Sequence, residues 1–353
     1  MQDKLTEYGV EFRELDTEQI LAILNERKQI DSFTKLVATF LGHFKGSQFT
    51  ESSVRQIAVE LEGVERNQAF LDVFMPIFES YQKALKLEDK VDYHDMIIEA
   101  TNLINSGKFK SPYRYIMVDE FQDISMGRAK LLSALQKSDP DVQLFCVGDD
   151  WQAIYRFTGS DINIMKNFGE HFGTYARSDL GTTFRCEKKI TDQATHFILQ
   201  NDFQITKKVR SVYEAKHPSV YVCLPEKDEG DQLTSIMNLI ATSGDLPDKQ
   251  KKPSVLILGR YRTEVLESFT KTDYGNILYR LSKRFPQLNI KYKTVHGSKG
   301  LEADYVILLD HGFPSEKVDD PILNMVLSAP EVFPNSEERR LFYVALTRAK
   351  KKV

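Results

Sequence analysis

The chain has 353 residues, of which 41% are hydrophobic and 28% are charged, a balance that is ordinary for a soluble globular protein. This length predicts two or three domains. The 47 basic and 51 acidic residues give a formal net charge of −4, which excludes a polybasic tail and confines any nucleic-acid contact to a local patch. Neither a long apolar run nor an N-terminal apolar region is present, so the sequence predicts no membrane span and no secretory signal.

The cysteines indicate the redox compartment. Cys146, Cys186 and Cys223 are odd in number and widely spaced, and no CxxC pair occurs. This pattern makes a disulfide framework or a zinc site an unfavourable interpretation and favours a reduced, cytoplasmic setting.

The first 112 residues predict a mostly helical region. Asp16 and Gln19 frame a start that resembles a capping box, ahead of an apolar run. Apolar residues recur at helical spacing over residues 33–44 and again over residues 70–81. Such a stripe is typical of the face that a helix packs into a core.

From about residue 113, short apolar runs alternate with helical stretches. Six runs are predicted as strands: residues 115–118, 142–147, 220–224, 255–259, 290–294 and 305–309. The alternation predicts an α/β fold with a parallel sheet, in which ligands bind beyond the carboxyl ends of the strands. The acidic, proline-containing stretch 316–334 predicts a long surface loop, and a further strand is expected to begin near Lys350.

The strongest local signal is the pair Asp119 and Glu120 after the run 115–118. A strand that ends in Asp-Glu is the Walker B arrangement, in which the first carboxylate holds Mg²⁺ and the second orients and deprotonates the attacking water. The alternative is an ordinary helix N-terminus, where carboxylates also suit the helix dipole. The following residues 121–123 (FQD) favour the first interpretation.

A second polar cluster spans residues 148–159, just after the run 142–147. Gln152 follows a strand end, where its amide can reach a γ-phosphate. Tyr155 and Phe157 are two residues apart, so in an extended segment they face the same side and can form a stacking platform for nucleobases. An aromatic pair taken alone is more often part of a core.

Five segments, in this order, resemble motifs II to VI of the UvrD/Rep-type superfamily 1 DNA helicases. They are residues 119–123 (DEFQD), 148–159 (GDDWQAIYRFTG), 180–185 (LGTTFR), 294–302 (TVHGSKGLE) and 337–349 (EERRLFYVALTRA). Residues 93–96 (YHDM) are a weaker match to a segment ahead of motif II. The second and fourth segments resemble most closely the helicase IV branch. The resemblance is dense over residues 91–353, whereas residues 1–90 match only as a helical insertion.

The resemblance implies a site for ATP and Mg²⁺ built from two RecA-like domains. From the first domain, Asp119 is expected to hold Mg²⁺, Glu120 to activate water and Gln152 to sense the γ-phosphate. From the second, Arg185 and Arg348 are expected to act as arginine fingers, because a planar, permanently charged guanidinium suits the phosphoryl transition state. A solvated surface charge is the alternative for both arginines.

Further contacts are implied by the same resemblance. Glu302 is expected to hydrogen-bond the nucleotide ribose. Tyr155 and Phe157 are expected to stack on or pack beside bases, with Thr294 and His296 contacting single-stranded DNA. A structural histidine is the alternative for His296, and the remaining histidines and the cysteines are interpreted as structural.

Two departures from the family pattern matter. The chain contains no GxxxxGK[ST] loop: its only Gly-Lys pair is Gly107-Lys108, which is followed by Phe109 and has no glycine five positions before Gly107. The early motifs are therefore expected upstream of residue 1. In addition, the stretch between Cys186 and Thr294 has room for a second RecA-like core and little more, so a 2B subdomain is expected to be reduced or absent.

We therefore predict an α/β protein with RecA-like, P-loop NTPase-type parallel sheets, of which the first is incomplete. Residues 1–90 are predicted as a helical 1B-like subdomain, 91–175 as the C-terminal part of the first RecA-like domain (1A) and 176–353 as the second (2A). Because the first sheet lacks strands, we expect an unpaired edge and exposed apolar surface that favour self-association.

The predicted function is that of a portion of an ATP-dependent 3′–5′ DNA helicase, in the cytoplasm, acting on single-stranded DNA and 3′-tailed duplex DNA. This chain alone is expected to be inactive because the phosphate-binding loop is missing. The alternative is a non-enzymatic helicase-like module that binds nucleic acid or protein. An α/β ATPase unrelated to nucleic acid is disfavoured by the aromatic pair and by residues 294–302.

Overall fold

The computed structural model describes residues 30–215, 217–224, 229–242, 252–261, 274–309, 320–329 and 331–353. The chain divides into two compact units, Met1–Glu99 with Asp320–Leu327, and Ala100–Asp319 with Ser328–Val353. The predicted helix start at Asp16 and Gln19 lies outside the described residues.

The first unit is helical and has an aromatic core. Its helices are α1 (Ile30–Gly46), α2 (Glu51–Glu60), α3 (Val64–Leu87) and the beginning of α4 (Tyr93–Asn105). Phe40 packs edge-on against Phe74, with ring centroids 4.6 Å apart, and Phe44 packs against Phe78 at 5.1 Å. The helical stripes predicted over residues 33–44 and 70–81 are confirmed, because both lie in helices whose apolar faces form this core.

The prediction of one long surface loop over residues 316–334 is wrong for part of that stretch. Pro321–Met325 forms a short 3₁₀ helix, capped by Asp320, whose carboxylate accepts from the Ile322 N–H. Ile322, Met325 and Val326 are buried in the aromatic core of the first unit. The apolar residues after the acidic run therefore belong to a core, because burying them removes apolar surface from water.

The second unit contains a sheet of two parallel strands, β1 (Tyr115–Val118) and β2 (Gln143–Cys146), joined through α5 (Met126–Lys137). The short helices α6 (Ile162–Lys166) and α7 (Phe168–Phe172) follow. One face of the sheet packs into a core that includes Phe121, Ile164 and Phe172. The other face carries three exposed side chains, Tyr115, Met117 and Phe145, with exposures of 68%, 76% and 59%.

The rest of the second unit is also a parallel α/β arrangement. Strands β3 (Thr182–Glu187) and β4 (Arg210–Tyr213) pair in parallel, with α8 (Lys188–Ile198) between them in the chain. A four-stranded parallel sheet has the order β6-β5-β7-β8. Its elements are β5 (Ser254–Gly259), β6 (Asn289–Thr294), β7 (Ala303–Leu308) and β8 (Ala349–Lys352), with helices α9 (Glu229–Thr242), α10 (Tyr274–Arg284) and α11 (Ser336–Leu346).

The burial of the four-stranded sheet follows from its sequence. The central strand β5 reads as a continuous apolar run, and its last five residues are buried, as expected for a parallel strand covered on both faces. The edge strand β6 instead alternates, and exposes Lys291 and Lys293. Lysines on an edge strand discourage pairing with another chain.

The α/β prediction is confirmed at the level of mixed helices and parallel sheets, and five of the six predicted strands are present. The strand predicted over residues 220–224 is wrong, because these residues form no strand. They nevertheless lie beside the C-terminus, where Tyr221 N donates to Val353 O and Val353 N donates to Ser219 O. Strands β3 and β4 were not predicted, and β8 begins beside the expected position. In the part of the chain that is described, no helix has the length and apolar character needed to cross a membrane.

Candidate active site

The acidic pair lies directly beyond the carboxyl end of β1. Asp119 and Glu120 are both exposed, and Glu120 has a φ of 50°, in the left-handed region. The backbone N–H of Glu120 donates to Asp119 Oδ1 at 2.8 Å, and Gln122 Nε2 donates to Glu120 Oε2 at 2.6 Å. A non-glycine residue with positive φ is uncommon, and such positions cluster at functional sites.

Gly148 allows the turn after β2 to lie against the turn after β1. A Cβ atom at this position would meet Gln122 Oε1 at 2.8 Å and the Gln122 backbone nitrogen at 3.0 Å. The next residue, Asp149, donates its backbone N–H to Gln122 Oε1 at 2.8 Å. The glycine is therefore required by close backbone approach, and Gln122 links the two turns.

Gln152 and Arg348 are brought together although they are distant in sequence. Gln152 Nε2 donates to Asp149 Oδ2 at 2.6 Å, and Gln152 Oε1 accepts from Arg348 Nη2 at 3.2 Å. The loop that follows β2 thus meets the residue that connects α11 with β8. Two residues predicted to face the same phosphate from different sheets are in direct contact.

Arg348 is a buried cation, with 1% of its surface exposed. Its guanidinium donates from Nε to Val344 O at 3.0 Å and from Nη1 to Leu301 O at 3.3 Å. Within the described ranges, no carboxylate is close enough to form an ion pair with it. Burial lowers the pKa of Arg348 to about 10, and the neighbouring Arg185 adds to this effect, so the group stays protonated at neutral pH. The described contacts of this buried positive charge are with carbonyl, amide and hydroxyl oxygens, and such a charge suits an anionic ligand.

Arg185 lies at the rim of the same site and pairs with the predicted ribose contact. Its Nε atom is 3.3 Å from Glu302 Oε2, and Lys350 Nζ is 2.5 Å from the other carboxylate oxygen of Glu302. The hydrogen bond from Lys350 is the largest of the contacts that hold the pKa of Glu302 below its ordinary value, and Arg185 contributes as well. Glu302 is exposed, so these ion pairs remain accessible from solvent.

Lys299 is a site residue to which the sequence assigned no role. It forms an ion pair with Asp123, lies 3.3 Å from Glu120 Oε2 and donates to Gln152 O at 3.1 Å. Its ammonium group also lies over the ring of Tyr155, 5.1 Å from the centroid. The available signal was its place within residues 294–302, and the sequence could not show that this lysine reaches the acidic turn after β1.

Asp123 receives one of these contacts but is itself half-buried. Burial raises the pKa of its carboxyl group, and Lys299 opposes that effect. Among the described residues, its Oδ1 atom is buried and has no hydrogen-bond partner. A polar atom of this kind needs an explanation, such as a bound water or ion.

An aromatic cluster is formed by Tyr155, Phe157 and His296, the residues expected to contact single-stranded DNA. Phe157 lies edge-on to His296 with ring centroids 5.3 Å apart, and Tyr155 lies 6.0 Å from Phe157. The Tyr155 hydroxyl donates to His296 O at 3.1 Å. Phe157 is the exposed member, at 47%, so its ring remains available for stacking.

Thr294 lies at the end of β6, and its hydroxyl is already used within the chain. Thr294 Oγ1 accepts from the Gly297 N–H at 3.1 Å, which fixes the turn that carries His296. The side chain is half-buried. Thr294 therefore supports the turn that carries His296.

His296 is a neutral histidine in this structure, which predicts a pH-dependent stability. Burial, with a further contribution from Arg260, lowers its pKa from 6.5 to about 4, while Glu338 and a hydrogen bond with the backbone of Ile154 oppose the shift. Between these two pKa values the unfolded chain binds a proton that the native chain does not, so stability falls as pH decreases.

We therefore expect the native chain to lose about 2 kcal/mol more than the variant His296→Gln when the pH changes from 7.5 to 5.0. Urea unfolding of both proteins at the two pH values measures this difference. Equal losses in the two proteins would show that His296 is not held neutral by its surroundings.

The carboxylates at the β1 tip fit a magnesium ion that arrives with a nucleotide. Mg²⁺ is usually held by one or two carboxylates together with substrate phosphates and water. Asp119 is exposed, and the Asp123 Oδ1 atom has no hydrogen-bond partner in the described ranges, so carboxylate oxygens are available as ligands. A complete protein cage is not found: among the described residues, no group of three or more His, Cys, Asp or Glu could hold a metal ion.

Comparison with known proteins agrees with the motif resemblance. Residues 4–173 match the family model described as the UvrD/REP helicase N-terminal domain. The chain is 38% identical over 288 residues to DNA helicase IV of Escherichia coli (strain K12), a match that covers 80% of this chain and 39% of that protein.

Two further relatives carry helicase names. The chain is 25% identical over 332 residues to a probable DNA helicase of Mycoplasma pneumoniae, covering 83% of this chain and 58% of the relative. It is 23% identical over 266 residues to ATP-dependent DNA helicase Rep of Buchnera aphidicola, covering 73% and 38%. The chain thus spans less than two thirds of each of these relatives. The family match and these identities, together with the ordered motifs, show that the chain belongs to the UvrD/Rep-type superfamily 1 helicases.

Proposed function

We propose that this chain is a portion of an ATP-dependent 3′–5′ DNA helicase that couples ATP hydrolysis to movement on single-stranded DNA and to duplex unwinding. The observation that carries the proposal is Arg348, a buried guanidinium that contacts Gln152 and has no carboxylate partner in the part of the chain that the structure describes. Such a charge suits a phosphate held between the loop after β2 and the end of α11. The helicase names of the relatives support the same function.

In this proposal the second unit holds most of the residues assigned to two RecA-like domains, while residues 91–99 and 320–327 lie in the first unit. We assign residues 91–175 to the first, 176–353 to the second, and residues 1–90 to a helical 1B-like subdomain, with 2B reduced or absent. The parallel order of β5, β6, β7 and β8 is compatible with a RecA-like second domain. Exposure of Tyr115, Met117 and Phe145 on the β1–β2 sheet supports the proposed self-association of the chain.

The chemistry assigned to each side chain follows from its surroundings. Glu120 is proposed as the general base, because it is exposed beyond β1 while Gln122 and Lys299 orient its carboxylate. Asp119 is proposed to hold Mg²⁺, which when bound neutralises phosphate charge. Gln152 is proposed as the γ-phosphate sensor.

The arginines and the remaining acidic residue complete the nucleotide site. Arg185 and Arg348 are proposed to stabilise charge on the transferred phosphoryl group, and Glu302 to bind the ribose. The ion pair between Arg185 and Glu302 holds both side chains at one rim of the site. A cytoplasmic location is part of the proposal and is supported by the three free cysteines.

A non-enzymatic helicase-like module is the second candidate, and one observation favours it. The sequence contains no GxxxxGK[ST] loop, so this chain by itself lacks the backbone N–H groups and lysine that cradle phosphates. The two candidates differ in ATP turnover once a Walker A segment is placed ahead of residue 1. We refer to that longer protein as the extended chain.

DNA binding through the aromatic cluster is tested by Phe157→Ala. Stacking contributes roughly 1–3 kcal/mol per base, so we expect single-stranded DNA to bind roughly 5- to 150-fold more weakly to the variant. Fluorescence anisotropy of a labelled oligonucleotide, at low salt because phosphate contacts are screened, measures the affinity. In the extended chain, unwinding is expected to fall more than basal ATP hydrolysis.

A matched control is Phe109→Ala, which removes a phenylalanine of similar exposure, 45% against 47%, outside the cluster. Its affinity for DNA is expected to stay at the wild-type value. Equal weakening by the two substitutions, or none by either, contradicts the stacking role of Phe157.

A further inference from the structure

A buried ionic cluster surrounds Lys207, a residue outside the five helicase motif segments. Lys207 lies between α8 and β4, and its side chain is 16% exposed. Its Nζ atom lies 2.6 Å from Asp149 Oδ1 and 2.6 Å from Asp150 Oδ1. One ammonium group thus joins two successive carboxylates of the loop that follows β2.

Lys207 is charged in this setting. Burial alone would lower its pKa, but Asp149 and Asp150 outweigh that effect and the net pKa lies above its ordinary value. Asp150 is fully buried, with its other oxygen accepting from the Ile205 N–H at 2.9 Å. Without the lysine, the buried carboxylate of Asp150 and the half-buried carboxylate of Asp149 would repel each other with no cation between them, which is costly.

The cluster extends directly to Gln152. Asp149 Oδ2 accepts from Gln152 Nε2, and Gln152 Oε1 accepts from Arg348. The reversed amide would turn its oxygen towards the carboxylate and its NH₂ group towards the guanidinium, so both contacts would become repulsive. Asp149 therefore selects the amide orientation of Gln152, and Lys207 holds Asp149.

We propose that Lys207 is a positioning residue for Gln152: it neutralises Asp149 and Asp150 and keeps Asp149 as the acceptor that aims the Gln152 oxygen at Arg348. The effect of Lys207 on ATP hydrolysis rests on the proposed function, in which Gln152 is the γ-phosphate sensor. The positioning role adds regulation of that site by the segment between α8 and β4. Any displacement of that segment shifts the Gln152 amide through two short contacts.

The sole tryptophan of the chain reports on this cluster. Trp151 lies between Asp150 and Gln152 and is fully buried. Its ring centroid is 4.6 Å from Lys207 Nζ, and its Nε1 atom donates to Ile205 O at 3.0 Å. Its emission therefore responds to the cation on its face and to the packing of the loop.

The test uses this chain without nucleotide or DNA. Deuterated protein labelled with ¹⁵N-glutamine gives a side-chain amide pair for each glutamine, and the Gln152 pair is identified by its loss in Gln152→Leu. In Lys207→Met we expect this pair to shift to the position of a solvent-exposed glutamine, and the Trp151 emission to shift with it. The Gln204 pair is expected to shift as well, because its amide lies 3.1 Å from Asp150 Oδ2, whereas the pairs of glutamines remote from the cluster should stay in place.

Two matched variants separate positioning from general stability. Lys207→Arg keeps the charge and should retain the native Gln152 pair, and Lys208→Met removes a neighbouring exposed lysine and should change nothing. If Lys207→Met does not fold, the double variant Lys207→Met/Asp150→Asn takes its place in the comparison with the unsubstituted chain. It removes one negative charge together with the cation, so a single carboxylate, that of Asp149, is left without its partner.

An unmoved Gln152 pair in the folded Lys207 variant overturns the proposal, as does a common shift of all glutamine pairs. The proposal and the helicase function fail separately, because this experiment involves neither ATP nor DNA. If the Gln152 amide did not move in the Lys207 variant, the positioning role would fail while the helicase function could still hold. If the amide moved but the extended chain did not hydrolyse ATP, the helicase function would fail while the positioning role held.

Discussion

Glu120→Gln in the extended chain lowers ATP turnover by about 10²–10⁴-fold, the usual contribution of a general base. The substitution keeps the shape of the side chain and removes its ability to accept a proton from water. ATP binding should survive, because the proposed phosphate and ribose contacts come from other residues. Steady-state hydrolysis with single-stranded DNA and Mg²⁺ measures turnover, and binding of a fluorescent nucleotide measures affinity.

Glu170→Gln is the matched control for this substitution. Glu170 is an exposed glutamate on α7, and none of its contacts involves the site. The control should hydrolyse ATP at the wild-type rate. Normal hydrolysis by Glu120→Gln as well would show that residues 119–123 are not a Walker B motif.

Arg185→Ala in the extended chain lowers turnover by about 10³-fold or more, the range expected for an arginine finger. Arg185 is a cleaner test than Arg348 because its side chain is one-third exposed, whereas Arg348 is buried and its loss would also disturb packing. The loss should appear in kcat rather than in nucleotide affinity, because the charge is needed most in the transition state.

Arg177→Ala is the control for Arg185→Ala. Arg177 is also partly exposed and ion-paired, to Asp179 at 2.8 Å, but it lies ahead of β3 and its side-chain hydrogen bonds with described residues go to Asp179 rather than to the proposed catalytic side chains. Its removal should leave turnover unchanged. If the two variants hydrolysed ATP equally fast, Arg185 would be an ordinary surface charge.

The elements that the sequence predicted well are those in which local pattern and tertiary burial agree. The central strands β5 and β7 carry apolar runs over residues 255–258 and 305–308, and the helices α1 and α3 carry apolar stripes at helical spacing. In each, the period of the pattern matches the face that is buried. Strand β3 is different: Thr182 and Phe184 are exposed, so no apolar run marked it.

The incorrect predictions have the same physical origin. Residues 220–224 are apolar but largely exposed, so their hydrophobicity did not lead to a sheet position. In residues 316–334, charge and proline predicted a loop, while Ile322 and Met325 are drawn into the aromatic core. Tertiary burial, which local composition does not encode, decided both cases.

Within the site, the motifs predicted which residues matter but not how they are connected. Gln152 and Arg348 were both named from sequence, and their direct contact follows from the fold. Lys299 and Lys207 were not assigned roles, because a lysine signals little until its partners are known. Their importance arises from carboxylates that lie 57 or more positions away in the chain.

ATP hydrolysis by the 353-residue chain and by the extended chain, compared under the same conditions, tests the account most directly. The proposed catalytic side chains are all present here, but without a Walker A loop nothing holds the β- and γ-phosphates in line with the attacking water. We expect no DNA-stimulated turnover from the short chain and clear turnover from the extended one. Turnover by the short chain that single-stranded DNA stimulates and Glu120→Gln abolishes would contradict the account, because a phosphate site would then exist within these residues.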